Sequence, residues 1–311
     1  MQKIYPALHM LEIFQPLMQD ERFFVDEMIS RIPDIPFYKG IELGVFYDKA
    51  CRKDIRKIVE DNKYQLTVWV SPTLTDYGYD LSSTDESTRK KAVARMIEGL
   101  DLSAEMGVKH CGIPCGPYPG PDKEEAAMEA FYRSIVDLLD VIDQYPGVDY
   151  IFEPLVRYAN KRMLCGPMPE AVKLFARVAE LSGKFYMHWD SAHEMLNKAP
   201  TLSESMEIAH PYIAQIHLCN CVTDPNHPYY GDWHMDVGEA PEYKNWGYLT
   251  PEVGAAVIKQ LASYNTNPGL DRTFCSVEVK SAKGNDLWAK ERLIRGFLQK
   301  VFDLAGNEYD K

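Results

Sequence analysis

The stretch FYMHWDSAH, residues 185–193, begins like a buried β-strand and ends in side chains that can bind a metal ion. Its apolar and aromatic first half has the length of a strand covered on both faces. His188 and Asp190 are two residues apart, so on a strand they point to the same face. His193 follows just beyond the predicted strand. The stretch therefore predicts a buried strand that carries polar chemistry at its carboxyl end.

Seven further short apolar segments of this kind recur along the chain. They are residues 3–11, 39–46, 64–72, 108–115, 148–155, 213–220 and 274–280. Between most of them lie segments with helical periodicity, such as residues 87–107, 123–144 and 168–184. Most strands begin about 25 to 45 residues apart, which is the length of a βα unit.

Eight strands that alternate with helices predict an α/β chain folded as a closed (β/α)8 TIM barrel. A doubly wound open sheet is the alternative, but the first strand-helix turn lacks the Gly-rich fingerprint of such folds. The chain contains no composition shift or Pro/Gly/Ser-rich linker, so we expect a single domain over residues 1–311. We interpret residues at about 222–250, rich in Asp, Pro, Gly, Tyr and Trp, as an elaborated loop over the barrel mouth.

Composition narrows the classes of partner and the cellular compartment. The net charge of −12 argues against nucleic acid, because phosphate binding needs a basic face. No stretch approaches the roughly 20 apolar residues of a membrane span, and the N-terminus does not have the pattern of a signal peptide. Seven cysteines, an odd number without C-x-x-C spacing, indicate reduced and mostly structural thiols. We therefore expect a cytoplasmic protein.

Four polar residues fall near the carboxyl ends of the last four predicted strands. These are Glu153, Asp190, His217 and Glu278. A single carboxylate at a strand end is typical of a helix cap, but four on consecutive strands of one barrel can converge on a point. Three carboxylates and one imidazole suit Mn²⁺, Co²⁺ or Mg²⁺, with Zn²⁺ as an alternative. His9 and His110 lie in the first half of the chain and lack polar neighbours of this kind, so we expect core or surface roles for both. We expect His188 behind the ligands or in the barrel interior, because four other residues already fill the site.

These residues, in their order and spacing, resemble the xylose-isomerase-like barrel superfamily, in particular its sugar isomerase and epimerase group with ketose 3-epimerases and inosose-processing enzymes. The resemblance covers nearly the whole chain and is strongest from Glu153 onward. Its matched positions are Glu153 and Arg157 in FEPLVR, Asp190 and His193 in DSAH, His217 in QIHLCN, His234 and Asp236 in GDWHMD, and Glu278 in VEVK. The sequence departs from the group in HLCNC, in VEVK and in the form of GDWHMD.

The resemblance implies one divalent metal ion, Mn²⁺ first among the ions above, held by Glu153, Asp190, His217 and Glu278. It implies that the two glutamates also transfer protons on opposite faces of a ketose or related polyol, through an enediolate. The remaining matched residues, and Glu42 at the end of the second strand, would bind the substrate; they are Glu42, Arg157, His193, His234 and Asp236. A salt bridge that anchors a loop is an equally good reading of Glu42. Because many relatives form dimers or tetramers, the resemblance also implies a homo-oligomer.

Other functions fit the same scaffold. A lyase, such as an inosose dehydratase or a C-glycoside-cleaving enzyme, would begin with the same proton abstraction and then expel a group. A phosphodiesterase of the apurinic-endonuclease type would need a larger His-rich metal cluster and a basic face, which the net charge of −12 opposes. A sugar-binding barrel without catalysis would need no carboxylate base.

Overall fold

Eight parallel strands close into a barrel in the computed structural model, which describes residues 3–75, 77–197, 200–237, 247–264, 269–270 and 272–308. The barrel strands are β1 (Ile4–His9), β2 (Gly40–Gly44), β3 (Gln65–Trp69), β4 (His110–Ile113), β5 (Asp149–Phe152), β6 (Phe185–Asp190), β7 (Ile213–Val222) and β9 (Thr273–Glu278). A short further strand, β8 (Gly231–Met235), precedes β9 in the chain. All eight predicted strands are confirmed, with ends shifted by a few residues.

The pairing of the strands closes the sheet. Each strand from β1 to β6 pairs in parallel with the next, β6 pairs with β7, and β7 and β1 both pair with β9. The predicted (β/α)8 TIM barrel is thus confirmed, and the open sheet is excluded because no barrel strand is left at an edge. Since every strand runs the same way, their carboxyl ends all lie at one mouth of the barrel.

Helices connect the strands and cover the barrel. They are α1 (Met10–Ile13), α2 (Glu21–Glu27), α3 (Lys49–Asn62), α4 (Ser71–Thr75), α5 (Glu86–Glu105), α6 (Pro121–Ile142), α7 (Met168–Ala179), α8 (Ser191–Leu196), α9 (Leu202–Ala209), α10 (Pro251–Ser263) and α11 (Leu287–Ala305), with 3₁₀ helices at Gln15–Leu17 and Ile29–Asp34. The helical periodicity predicted at 87–107, 123–144 and 168–184 corresponds to α5, α6 and α7. After α5, Gly107 adopts a φ of +84°, a left-handed conformation that stops the helix.

The predicted loop at 222–250 contains β8, which pairs antiparallel with the far end of β7. Residues 238–246 of that loop lie outside the described residues. All seven cysteines lie in the described part, where they are buried and free. In the ranges given above, no helix combines the length and apolar character that a bilayer crossing requires.

Candidate metal centre

The barrel brings the four predicted metal ligands together at its mouth. Glu153 directly follows β5, Asp190 and Glu278 end β6 and β9, and His217 lies within β7. One ligand atom from each of the four lies within 4.8 Å of the others. The convergence follows from strand register, because Asp190 lies opposite His217 between β6 and β7.

Several polar atoms of this cluster are buried without a hydrogen-bond partner. They are Oε1 of Glu153, Oδ2 of Asp190 and Nδ1 of His217. Burial, together with the charges of Glu153 and Glu278, raises the pKa of Asp190 to about 7 against the opposing effect of His193. Crowded carboxylates with free lone pairs require a cation. The donor set therefore fits a divalent metal ion.

Glu42 lies in the barrel interior beside His217. Its Oε2 accepts a hydrogen bond from Trp69 Nε1 (2.8 Å) and lies 3.0 Å from His217 Nε2, while Ser276 donates to its Oε1. Burial would raise the pKa of Glu42, but His217 and His9 outweigh it and hold that pKa well below the ordinary value. With Nε2 engaged by Glu42, His217 presents Nδ1 to the cluster. A carboxylate in this position orients a metal-ligating imidazole.

Two other histidines occupy the same interior. His188 is fully buried, and its ring centroid lies 3.8 Å from that of His217, so the expected interior position is confirmed. His9 is buried, which confirms the expected core position, but it does not lack polar neighbours. Its Nε2 lies 3.7 Å from Glu278 Oε1 and 4.0 Å from Glu42 Oε2. Only barrel closure, which places β1 beside β9, brings His9 to Glu278.

His193 and His234 lie beside the cluster and meet at Asp232. His193 Nε2 is 3.5 Å from Glu153 Oε1, and His234 Nδ1 is 3.6 Å from Glu278 Oε1. Asp232 Oδ2 lies 3.7 Å from His193 Nδ1 and 3.3 Å from His234 Nε2. Burial lowers the pKa of His234, but Glu278 and Asp232 outweigh it and raise that pKa to about 10.

Sequence reasoning missed three residues here: Asp232, Lys161 and Glu12. Lys161 Nζ lies 2.5 Å from Asp232 Oδ2, and Glu12 Oε2 lies 3.6 Å from His234 Nδ1. The alternation of Asp232 and His234 in GDWHMD could have indicated Asp232, because both face one side of β8. Lys161 lies in the connection after β5 and Glu12 in α1, where the sequence offered no comparable signal.

Two predicted substrate-binding residues point elsewhere. The Arg157 guanidinium pairs with Glu124 (2.9 Å) and Glu170 (2.7 Å). The Asp236 carboxylate pairs with Lys290 Nζ at 2.5 Å. The structure therefore joins His193 and His234 to the metal cluster but engages Arg157 and Asp236 in other ion pairs.

Comparison with known proteins agrees with this architecture. The family model described as xylose isomerase-like TIM barrel matches residues 38–267. No protein with a curated description matches the sequence significantly.

Solved structures give the same result at low identity. D-psicose 3-epimerase with D-tagatose from Clostridium cellulolyticum H10 is 15% identical, with 97% of this chain and 98% of that chain covered and a TM-score of 0.64. The IolI protein with a zinc atom is 12% identical (99% and 100% covered, TM-score 0.69). The 3-keto-D-glucoside 4-epimerase YcjR from E. coli is 14% identical (97% and 100% covered, TM-score 0.63). At such identities these likenesses show the fold alone. The family model matches more than half of the chain and shows that the chain belongs to the xylose isomerase-like TIM barrel family.

Proposed function

We propose that this protein is a divalent-metal-dependent sugar isomerase or epimerase that moves a proton next to the carbonyl of a ketose or related polyol. The convergence of Glu153, Asp190, His217 and Glu278 at the barrel mouth, with buried and unpartnered ligand atoms, carries the proposal. Several structural neighbours are named as sugar epimerases, which supports a sugar as the substrate class.

The metal would be held by Glu153, Asp190, His217 and Glu278. When bound, a divalent ion polarises adjacent carbonyl and hydroxyl oxygens and makes the neighbouring C–H more acidic. We propose Mn²⁺ for this oxygen-rich donor set. The zinc atom named for the IolI neighbour makes Zn²⁺ the ion to compare with it.

Glu153 and Glu278 would carry the proton transfers. Glu153 directly follows β5 and Glu278 ends β9, with β6 and β7 between these strands, so their carboxylates approach the cluster from different directions. One carboxylate would take the proton from carbon, and the other would deliver a proton from its own side. Epimerisation requires such a pair because the configuration inverts only when the proton returns on the opposite face.

His193 and His234 would hold substrate oxygens. Each imidazole lies next to one of the two glutamates, at 3.5 Å and 3.6 Å. Positive or hydrogen-bonding groups placed there stabilise the negative charge that develops on oxygen during proton removal. Since Arg157 pairs with Glu124 and Glu170, we assign this role to the histidines instead.

Deuterium incorporation tests the proposal directly. The metal-loaded protein is incubated with a panel of ketoses and keto-glycosides in D₂O, and the products are analysed by NMR and mass spectrometry. We expect deuterium at a carbon next to the carbonyl of at least one sugar, with no loss of water or aglycone. Elimination of either group would instead identify the lyase reaction.

Two variants test the glutamates. Glu153→Gln and Glu278→Gln are each expected to lower turnover by about 10²- to 10⁴-fold, the usual contribution of a general base. The exposed Glu180→Gln is the matched control and should retain wild-type turnover. Full activity of Glu153→Gln or of Glu278→Gln would contradict the proposed proton-transfer pair.

We further propose that residues 1–311 act as one domain in the cytoplasm and assemble as a homo-oligomer. Gel filtration with light-scattering detection measures the mass of the assembly. A mass equal to that of one chain would contradict the homo-oligomer.

A further inference from the structure

A cleft lies at the amino-terminal end of the barrel, away from the candidate metal centre. Its volume is about 420 Å³, and its lining includes Lys63, Gln65, Lys109, His110 and Arg272. Gln65 begins β3 and His110 begins β4, whereas the proposed metal ligands stand where strands end. This amino-end cleft is therefore on the face opposite the mouth. Its volume is within the range of sites that bind small metabolites.

Three of the lining residues are cations, although the net charge of the chain is −12. Lys109 Nζ pairs with Asp149 at 2.6 Å. Lys63 and Arg272 are exposed, and no carboxylate in the described ranges forms an ion pair with either of them. The Arg272 guanidinium packs over the Tyr5 ring, 5.2 Å from its centroid. Two positive charges thus border the cleft without a negative partner, and they attract anions to this face of an acidic protein.

His110 is the buried member of the lining. Burial, together with the charge of Lys109, lowers its pKa to about 3, so the imidazole is neutral. Gln65 Nε2, which can only donate, lies 3.2 Å from His110 Nδ1. Nδ1 is therefore the acceptor, and the single ring proton sits on Nε2.

The Nε2–H group of His110 is buried and has no acceptor among the described residues. The neighbouring Gln215 does not supply one. Its Oε1 accepts from Thr67 Oγ1 at 2.8 Å, and its own Nε2 is likewise buried without a partner. Buried donors of this kind require an acceptor oxygen. The interior behind the exposed cations thus offers N–H groups to a ligand that carries several oxygens.

We propose that the amino-end cleft binds the phosphate group of a small metabolite, either inorganic phosphate or a phosphate monoester. A phosphate group carries nearly two negative charges and several strong acceptor oxygens. Lys63 and Arg272 pair with the charge, and His110 Nε2 donates to one oxygen. The site lies on the face opposite the metal cluster, so the inference does not depend on the reaction at the mouth.

Isothermal titration calorimetry of the metal-loaded protein, freed of excess metal, tests this inference. Inorganic phosphate and glycerol 3-phosphate are titrated separately at constant ionic strength, with glycerol as the uncharged comparison. We expect saturable binding of at least one of the two anions, at one per chain, and no binding of glycerol. Tighter binding of glycerol 3-phosphate would support the site with an ester as its ligand, and tighter binding of phosphate would support it with the free anion.

Variants of the lining locate the bound anion. The double variant Lys63→Met, Arg272→Met removes both unpaired cations and should weaken binding by at least about 10-fold. His110→Phe keeps a buried ring but loses the donor, and it should weaken binding by about the same factor. The double variant Lys49→Met, Lys53→Met is the matched control, because it removes two exposed cations of α3 outside this cleft. Its affinity should equal that of the wild type.

Asp190→Asn separates the amino-end cleft from the metal cluster. A phosphate that bound to the metal would lose affinity in this variant, whereas we expect its affinity for the anion to be unchanged. Circular dichroism checks the folding of each variant. Lys63 and Arg272 are exposed, so their double variant decides the question even if His110→Phe does not fold.

The alternative is that these cations are only solvated surface charges. In that case the wild type would show no saturable binding of either anion, or the Lys63→Met, Arg272→Met protein would bind as tightly as the wild type, and both results would overturn the inference. An affinity that only Asp190→Asn lowers would overturn it as well. Unchanged affinity in a folded His110→Phe protein would also contradict the site as proposed.

Discussion

At the scale of the residue, the barrel mouth contains carboxylates whose environments differ. Glu42 is surrounded by hydrogen-bond donors and by His217 and His9, so it stays ionised and orients His217. Asp190 ends β6 among other carboxylates, and its Oδ2 is free for a cation. These residues have the same chemical group, but their surroundings separate an orienting role from a ligand role.

Glu194 shows the effect of burial on a nearby carboxyl group outside the ligand set. Ser205 donates to its Oε2, and Trp189 Nε1 in turn donates to Ser205 (2.9 Å). Burial raises the pKa of Glu194 to about 8, from an ordinary value of 4.5. The folded protein therefore favours the protonated carboxyl.

Glu194→Gln is consequently expected to stabilise the protein more at pH 8 than at pH 5. A raised folded-state pKa contributes stability that is complete below pH 4.5 and is lost as pH rises towards 8, because the unfolded chain ionises first. At about 1.4 kcal/mol per pKa unit, the loss amounts to a few kcal/mol. The neutral amide avoids it. Melting temperatures of both proteins at the two pH values check this, and the exposed Glu207→Gln should follow the wild type. An equal gain at both pH values would contradict it.

At the scale of the element, β3 and β4 show how the barrel interior supports the site. Trp69 ends β3 and lies opposite Gly112 of β4 in the strand register. A Cβ atom built on Gly112 would stand 2.3 Å from the Trp69 ring. The missing side chain of Gly112 thus makes room for the indole that donates to Glu42.

Gly112→Ala should therefore displace Trp69 and disturb the path from Trp69 through Glu42 to His217. We expect destabilisation of ~1–3 kcal/mol, the usual cost of overpacking, and weaker binding of metal. Denaturant unfolding and metal titration measure the two effects. Gly296→Ala on α11 is the control, since an added Cβ there meets nothing within 4 Å. If Gly112→Ala is as stable as the wild type, the Trp69 ring moves aside without cost and the prediction is wrong.

At the scale of the whole molecule, the cluster joins strands that are distant in sequence. Its ligands Glu153, His217 and Glu278 follow β5, lie in β7 and end β9, and only the folded barrel makes them neighbours. A metal ion bound by such residues holds the native barrel together and has no equivalent site in the unfolded chain.

Removal of the metal should therefore lower the melting temperature of the wild type. At a free metal concentration of 100 times Kd, binding to the native state alone contributes about 2.7 kcal/mol. Thermal melts with added Mn²⁺ and with excess chelator measure the difference. Asp190→Asn, which weakens the ligand set, should show a smaller response. Identical wild-type melting curves in both conditions would contradict a metal centre at this cluster.

The sequence by itself determined the strands, the closed barrel and the four residues that converge at its mouth. This was predictable because buried strands are local apolar patterns, and a barrel sends the polar end of each strand to the same place. The tertiary structure alone decided the surroundings of those four residues. Arg157 and Asp236 were drawn to Glu124, Glu170 and Lys290, while Lys161 and His9 entered the site. The direction of a polar side chain depends on which opposite charge lies within reach, and folding brings those charges from remote parts of the chain.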